Sequence, residues 1–191
     1  MFKFWAFLNR MKHIKRWSLM YSVQQENIME HSHQVATISH ALALLAVKKF
    51  GKQVDVNKTV LLAHYHETGE VITGDLPTPI KYFNPEIRTA YKGLEKTACE
   101  RLLKMLPDEV QDDYKDLVLP DETTYEYKLV KCADRISAYL KCIDELKSGN
   151  KEYAKAQKSI KKDIDSIDLP EVKFFMKEIA PAYELTLDEL D

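Results

Sequence analysis

Histidines and carboxylates, the residues best suited to chemistry, cluster in three short stretches of the chain. All six histidines lie within the first 66 residues. The stretches 30–33 and 64–70 each carry two histidines beside glutamates, and the third stretch contains Asp134. Imidazole nitrogens and carboxylate oxygens together bind divalent cations such as Mn, Co, Fe, Zn or Mg. The combination predicts a mixed nitrogen and oxygen metal site, where two carboxylates would balance the charge of the ion.

Helices must position these residues, because apolar residues recur at the spacing of one helix face. Asn27 followed by Glu30 has the spacing of a capping box, which predicts a helix that ends near Gly51. The first histidine stretch therefore lies in the first turns of this helix. The next helix is predicted from about Asn57 to Gly74 and carries the second stretch near its end.

Asp134 lies in the middle of a later helix, predicted from about Thr123 to Lys147. The positions expected to face inward on this helix are otherwise apolar: Leu129, Cys132, Ala133, Ile136, Leu140 and Ile143. An unpaired carboxylate is costly in such surroundings. We therefore expect the fold to bring Asp134 to a partner, and the histidines are the candidates.

The length and composition favour one all-α domain spanning residues 1–191. The chain has 191 residues, of which 45% are hydrophobic, enough for a real core. Only 5 glycines and 7 prolines are present, which leaves little turn chemistry for a many-stranded sheet. Further helices are predicted after Asn84-Pro85 and Pro107, and near residues 151–168 and 170–180.

Charge and cysteine usage narrow the expected partners and compartment. With 28 basic and 30 acidic side chains the net charge is -2, so the chain lacks the basic excess of a general nucleic-acid binder. No apolar run approaches the ~18 residues of a membrane span. The 3 cysteines form no CxxC motif, which is typical of reduced thiols. We expect no nucleic-acid or membrane partner and a cytoplasmic location.

Two further motifs are suited to binding a small phosphorylated ligand. In the segment 73–79, Pro77 and Pro79 predict a stiff loop without helix, directly after the second histidine stretch. Arg16 and Trp17 are adjacent near the amino end. A guanidinium group can contact a phosphate through two parallel hydrogen bonds, and an indole offers a flat wall for a sugar.

These segments together resemble the bacterial 5'-deoxynucleotidases of the YfbR type, which are HD-domain metal-dependent phosphohydrolases. The matching segments are Arg16-Trp17, Glu30-His31-Ser32, HETGEVITGDLPTPIKYFN at 66–84, Ala133-Asp134 and 138–142. The GDLPTP loop and the Arg-Trp pair are more specific than the HD signature. The resemblance covers most of the chain. It implies a helical HD-domain fold, a homodimer, and hydrolysis of deoxyribonucleoside 5'-monophosphates to deoxynucleoside and phosphate.

The resemblance also implies a role for each matching position. One divalent cation (Co, Mn or another transition metal) would be bound by His31, His66, Glu67 and Asp134. Glu70 would be the general acid or base, and Arg16 would hold the phosphate during catalysis. Residues expected to contact the substrate are Arg16, Trp17, His31, Glu67, Asp75, Leu76, Pro77, Thr78 and Asp134. Among them, Trp17 would pack against the sugar and Asp75 would be oriented toward a sugar hydroxyl.

Glu67 departs from the family pattern, which has aspartate after the second histidine. Glutamate offers the same carboxylate on one extra methylene, so it can serve as a ligand if the helix or the ion shifts slightly. Because of Glu67, one alternative is a metal- and nucleotide-binding module without turnover. A separate alternative is an HD hydrolase of another nucleotide, such as an alarmone or a cyclic dinucleotide. His33 and His64 are expected on other helix faces, away from the ion.

Overall fold

The computed structural model describes residues 1–191 and contains helices and turns without β-strands. The α-helices are α1 (Phe4–Leu8), α2 (Ile28–Lys48), α3 (Val56–Tyr65), α4 (Glu70–Thr73), α5 (Thr78–Lys81), α6 (Pro85–Leu103), α7 (Asp108–Val118), α8 (Tyr125–Lys147), α9 (Ala154–Asp165) and α10 (Pro170–Phe174). The predicted all-α fold is confirmed. None of the helices combines the length and apolar character required to cross a membrane.

Local caps explain where the long helices begin. The Asn27 side chain accepts hydrogen bonds from the backbone N–H groups of residues 29 and 30, and Glu30 completes the predicted capping box at the start of α2. Asn84 caps α6, with Pro85 in its first turn, and Thr124 caps α8. Each cap satisfies a backbone donor that the helix leaves free, which stabilises it by about 0.5–2 kcal/mol.

The main hydrophobic core joins α2, α3 and α8. The core contains Val35 and Leu42 of α2, Leu62 of α3, and Ile136 and Leu140 of α8. All five side chains are buried. A smaller cluster packs α1 against α6 and α7. Because α2 and α8 pack against each other, His31 and Asp134 are brought to the same region of the molecule.

The second histidine helix is shorter than predicted. The sequence pattern predicts one helix to Gly74, but α3 ends at Tyr65 and a turn leads into the short α4. Gly69 lies in this turn against α6, where a β-carbon would come within 3.1 Å of the Cys99 sulfur and 3.4 Å of the Glu95 carbonyl oxygen. Because glycine has no side chain, the turn can approach α6 this closely. Glu67 lies within the turn, and Glu70 directly follows it.

The proline segment contains a helix where none was expected. Thr78–Lys81 form the short α5, with Pro77 as its N-cap and Pro79 in its first turn. The first turn of a helix leaves backbone N–H groups unpaired, so a proline there forfeits no hydrogen bond. The prediction of a helix-free segment is therefore wrong at its carboxyl end.

Candidate metal centre and nucleotide site

Four side chains converge from three separate parts of the fold. His31 in the first turn of α2, His66 and Glu67 after α3, and Asp134 in the middle of α8 each offer a ligand atom within 4.8 Å of the others. His31 Nε2 lies 3.1 Å from Asp134 Oδ1 and 3.9 Å from Glu67 Oε1. His66 Nε2 lies 3.1 Å from the same Glu67 oxygen. The structure thus brings together all four residues predicted to be metal ligands.

Hydrogen bonds occupy Nδ1 of both histidines, so Nε2 is the nitrogen that each could offer to a cation; His31 Nε2 lies within hydrogen-bond distance of Asp134 Oδ1, at 3.1 Å. His66 Nδ1 donates to the backbone carbonyl of Ala63 at 2.6 Å. The Ser137 hydroxyl donates to Gln34 Oε1 at 2.6 Å, so it accepts from His31 Nδ1 at 3.2 Å. Metal-binding histidines characteristically use their second nitrogen in this way. His66 Nε2 is also buried without a hydrogen-bond partner, as expected of a ligand atom.

The charges of the cluster fit a divalent ion. Burial and then the charge of Arg16 lower the pKa of His31, which keeps the imidazole neutral. Burial alone would raise the pKa of Glu67, but His66 and Arg16 hold it well below its usual range. Neutral imidazole and ionised carboxylate are the forms that bind metals. The ligand atoms lie within 4.8 Å of one another, so a cation could take the place of the hydrogen bond between His31 and Asp134 at 3.1 Å.

Lys131 is a partner of the cluster that the sequence reading missed. Its Nζ lies 3.1 Å from Asp134 Oδ2, which leaves Oδ1 directed at His31. Burial would raise the pKa of Asp134, but Lys131 and His31 hold it well below its usual value. The two residues are three apart on α8, a spacing at which side chains share one helix face. That spacing is the signal by which the pair could have been found.

Glu70 is the first residue of α4 and lies beside the cluster. Its side chain is buried, and its Oε2 atom has no hydrogen-bond partner. Burial and the nearby carboxylates of Glu67 and Asp75 raise its pKa well above the usual value. A neutral carboxyl with a free oxygen at this position can donate a proton.

The Arg-Trp pair lies at the edge of the same cluster. Arg16 Nη1 is 3.9 Å from Glu67 Oε1, while Arg16 Nε donates to Glu26 Oε2 at 3.0 Å. The indole Nε1 of Trp17 donates to the same Glu26 oxygen at 3.1 Å. Arg16 therefore lies beside the candidate ligands, and Trp17 is joined to it through Glu26. Glu26 was missed by the sequence reading, since nothing in its local pattern indicates a partner ten residues earlier.

The predicted nucleoside loop is brought to the site only in part. Asp75 is half-buried, and burial together with Glu67 raises its pKa to about 6 against the opposing charge of Arg16. Leu76 and Pro77 are half-buried and Thr78 is exposed at the start of α5. No side-chain hydrogen bond joins these three residues to the cluster. His33 and His64 are exposed and lie outside the cluster of candidate ligands, as expected.

Three comparisons with known proteins, by family model, by sequence and by structure, find similar proteins over nearly the whole chain. Residues 3–183 match the family described as 5'-deoxynucleotidase YfbR-like. A 5'-deoxynucleotidase of Vibrio cholerae is 50% identical over 192 residues, covering 98% of this chain and 97% of that protein. The crystal structure of an HD-domain phosphohydrolase from Listeria innocua superposes with a TM-score of 0.83 at 23% identity, covering 95% of this chain and 88% of that one.

A more distant structural neighbour carries a metal. The cyanophage S-2L HD phosphohydrolase, bound to dA and one catalytic Zn²⁺ ion, has a TM-score of 0.64 at 20% identity and covers 92% of this chain and 95% of its own. At such identities the two structures establish the shared helical fold. The family match and the relative at half identity go further, because they extend over nearly the whole chain. This protein belongs to the family of YfbR-like 5'-deoxynucleotidases and has the HD-domain phosphohydrolase fold.

Proposed function

We propose that this protein hydrolyses deoxyribonucleoside 5'-monophosphates to deoxynucleoside and phosphate in a metal-dependent reaction. One observation carries the proposal: His31, His66, Glu67 and Asp134 converge with ligand atoms within 4.8 Å of one another, beside the buried Glu70. The family membership supports the same activity. A helical scaffold without a catalytic role gives no reason for this cluster of buried charge.

The four converging residues are proposed to hold one divalent cation. Two neutral imidazole nitrogens and two carboxylate oxygens suit Co, Mn or another transition metal, and the cyanophage neighbour of the same fold is bound to one catalytic Zn²⁺ ion. Such an ion supplies Lewis acidity toward the phosphate and toward water. The extra methylene of Glu67 does not prevent convergence, since its Oε1 lies 3.1 Å from His66 Nε2.

Arg16 and Glu70 are proposed to act on the reacting atoms. Arg16 is held through Nε, so its terminal nitrogens can bind the phosphate oxygens and offset the charge that develops there. Glu70, kept neutral by burial and by Glu67, gives its proton to the 5'-oxygen as the phosphorus–oxygen bond breaks. It regains a proton from the water that supplies the new oxygen of phosphate.

The nucleoside is proposed to lie against Trp17 and the loop of residues 75–78. A fixed indole wall would leave no room for a 2'-hydroxyl, so deoxyribose would be preferred on shape. Discrimination against one added hydroxyl by shape alone reaches about 10²-fold, and some activity on ribonucleotides is expected. Asp75 would contact a sugar hydroxyl, with Leu76, Pro77 and Thr78 lining the remainder of the pocket.

The direct test is phosphate release from dAMP and AMP in the presence of Co²⁺, Mn²⁺ or EDTA. We expect release that needs the metal and favours dAMP. If no metal supports release, the protein is a binding module without turnover, and recovery of activity by Glu67→Asp would identify Glu67 as the cause. Release from an alarmone or a cyclic dinucleotide in place of dAMP would assign it to another class of HD hydrolase.

The role of Glu70 gives a second prediction. Glu70→Gln keeps the shape but removes the proton donor, so kcat for dAMP is expected to fall by about 10²- to 10⁴-fold. Mn²⁺ affinity, measured by calorimetry, and the melting temperature are expected to be retained, because the Glu70 carboxyl is buried without a full set of partners. Glu100→Gln, on the exposed side of α6, is the control. A Glu70→Gln protein with wild-type kcat would refute this role.

A homodimer, a cytoplasmic location and one domain over residues 1–191 stay predictions from the sequence.

A further inference from the structure

We propose that Glu26 is a positioning residue for substrate selectivity, which acts by fixing Trp17 and Arg16 together. This inference rests on the proposed function, because it concerns how the same site distinguishes deoxyribose from ribose. Glu26 belongs neither to the candidate metal ligands nor to the residues expected to touch substrate. Its positioning role is inferred from the location of its carboxylate.

One oxygen of Glu26 accepts two hydrogen bonds from neighbouring side chains. Oε2 receives the Arg16 Nε donor at 3.0 Å and the Trp17 Nε1 donor at 3.1 Å. The Glu26 side chain is only 11% exposed, so water competes little for these bonds. Hydrogen bonds to an ionised carboxylate are stronger than those between neutral groups. A single carboxylate therefore sets the positions of both side chains relative to each other.

The backbone places Glu26 opposite the pair that it holds. The Arg16 N–H donates to the Glu26 carbonyl at 3.0 Å, and the Ile28 N–H donates to the Ile14 carbonyl at 3.0 Å. Between these bonds, Lys15 and Asn27 form an isolated antiparallel bridge. The start of α2 is thereby joined to the segment that carries Arg16 and Trp17, and the Glu26 side chain needs no loop rearrangement to reach both.

Trp17 has a backbone conformation that requires such restraint. Its φ is +58°, and it is the one non-glycine residue of this structure with a positive φ. Bulky residues adopt this left-handed region only when their surroundings hold them there. The ring packs on Tyr153 at 5.2 Å between centroids, while the Glu26 bond fixes its nitrogen. Loss of that bond would free the indole to move and open the wall proposed to exclude a 2'-hydroxyl.

Arg16 is oriented by the same contact. Because Nε points to Glu26, the terminal nitrogens face the cluster, where Nη1 lies 3.9 Å from Glu67. A carboxylate that merely neutralised Arg16 would affect phosphate binding equally for all nucleotides. A carboxylate that also fixes Trp17 would affect deoxy and ribo substrates differently. The ratio of the two activities separates these roles.

The experiment compares wild type, Glu26→Gln, Trp17→Ala and the double variant by kcat/KM for dAMP and AMP. Glu26→Gln is expected to lower kcat/KM for dAMP by about 10- to 100-fold, because an uncharged amide oxygen holds the Arg16 and Trp17 donors less strongly than a carboxylate does. It is also expected to lower the dAMP to AMP ratio. In the Trp17→Ala background the same substitution should leave the ratio unchanged. Glu100→Gln is the control for loss of one negative charge.

Two kinetic results would overturn the inference: an unchanged dAMP to AMP ratio in Glu26→Gln, or an equal fall of the ratio with and without Trp17. Mn²⁺ affinity is measured for each variant, so that damage to the metal centre is recognised separately. If wild type releases no phosphate from dAMP, it is the proposed function that fails, and the link between Glu26 and Trp17 is then judged by fluorescence.

The fluorescence experiment uses the fact that Trp5 and Trp17 are the only tryptophans. In a Trp5→Phe background, the emission reports on Trp17 alone. Glu26→Ala, which removes both acceptor oxygens, should shift this emission to longer wavelength and increase its quenching by acrylamide, because the released indole meets more water. Emission and quenching that match the parent would show that Glu26 does not hold Trp17, and the inference would be wrong.

Discussion

At the scale of single residues, Ser137 shows how the interior of α8 supports the candidate centre. Its hydroxyl is fully buried and lies between Gln34 and His31, donating to the first and accepting from the second. These two hydrogen bonds fix the His31 ring so that Nε2 faces the other candidate ligands. Ser39 on α2 is equally buried, but its hydroxyl has no hydrogen-bond partner. The two serines therefore form a natural comparison.

Ser137→Ala is expected to weaken Mn²⁺ binding by about 10- to 100-fold, because loss of such an outer partner leaves a ligating histidine poorly oriented. Calorimetric titration of the metal-free protein measures the change. Ser39→Ala removes a buried hydroxyl from the same core without touching His31, and its Mn²⁺ affinity should equal that of wild type. Equal affinities in both variants would contradict a role for Ser137 in orienting His31.

At the scale of elements, α8 holds two parts of the site at once. Asp134 in its middle belongs to the metal cluster, while Glu145 near its end holds the loop of residues 17–25. Glu145 accepts the backbone N–H groups of Val23 and Gln24 at 2.8 and 3.1 Å. Lys141 donates both to Glu145, at 2.6 Å, and to the Gln24 carbonyl. The rigid helix therefore relates the position of the Arg-Trp segment to that of the metal ligands.

Glu145→Gln should destabilise the protein in a pH-dependent way. Burial alone would raise the pKa of Glu145, but its hydrogen bonds from Lys141 and Asn150 lower it from 4.5 to about 2. A depressed pKa contributes stability that is complete above pH 4.5 and is lost as the pH falls toward 2. The difference in unfolding free energy between wild type and variant should therefore shrink over that interval.

Urea unfolding at several pH values measures this difference. Glu152→Gln provides the control, since this glutamate is exposed in the short turn after α8, and its effect should be small at every pH. A difference for Glu145→Gln that stayed constant down to pH 2 would mean that the charge of Glu145 contributes nothing to the loop anchor.

At the scale of the whole molecule, the candidate centre lies where the main core elements meet. Its ligands come from α2, from the turn after α3 and from α8, and these same three helices form the large hydrophobic core. A cation bound there would connect elements far apart in sequence. Because the unfolded chain cannot assemble the site, binding free energy becomes folding stability.

Metal removal is therefore expected to lower the melting temperature. At a free Mn²⁺ concentration about 100 times Kd, the gain is about 2.7 kcal/mol, and a chain of this size shifts by about 2–4 °C per kcal/mol. Thermal unfolding with Mn²⁺ or EDTA measures it. His66→Ala should abolish the shift, whereas His40→Ala, on an exposed position of α2, should keep it. A full shift in His66→Ala would place the ion elsewhere.

The sequence by itself determined the helical class, most helix ends and the identity of the converging residues. Asn27, Asn84 and the apolar face of α8 act through neighbours only a few residues away, so their consequences can be read locally. The metal ligands were predicted through the resemblance that their motifs carry. The four residues lie together in the structure, while their binding of a metal stays a prediction.

Only the tertiary structure decided how these residues are held. The turn at Gly69 depends on the close approach of α6, and the hydrogen bonds of Ser137 with His31 and of Glu145 with residues 23 and 24 join positions more than 100 apart. Glu26 binds Arg16 and Trp17 because an isolated antiparallel β-bridge joins the two segments, and no sequence periodicity predicts that bridge. Helix caps and periodicity depend on local backbone geometry, whereas these contacts depend on which surfaces pack together, and packing is a property of the whole fold.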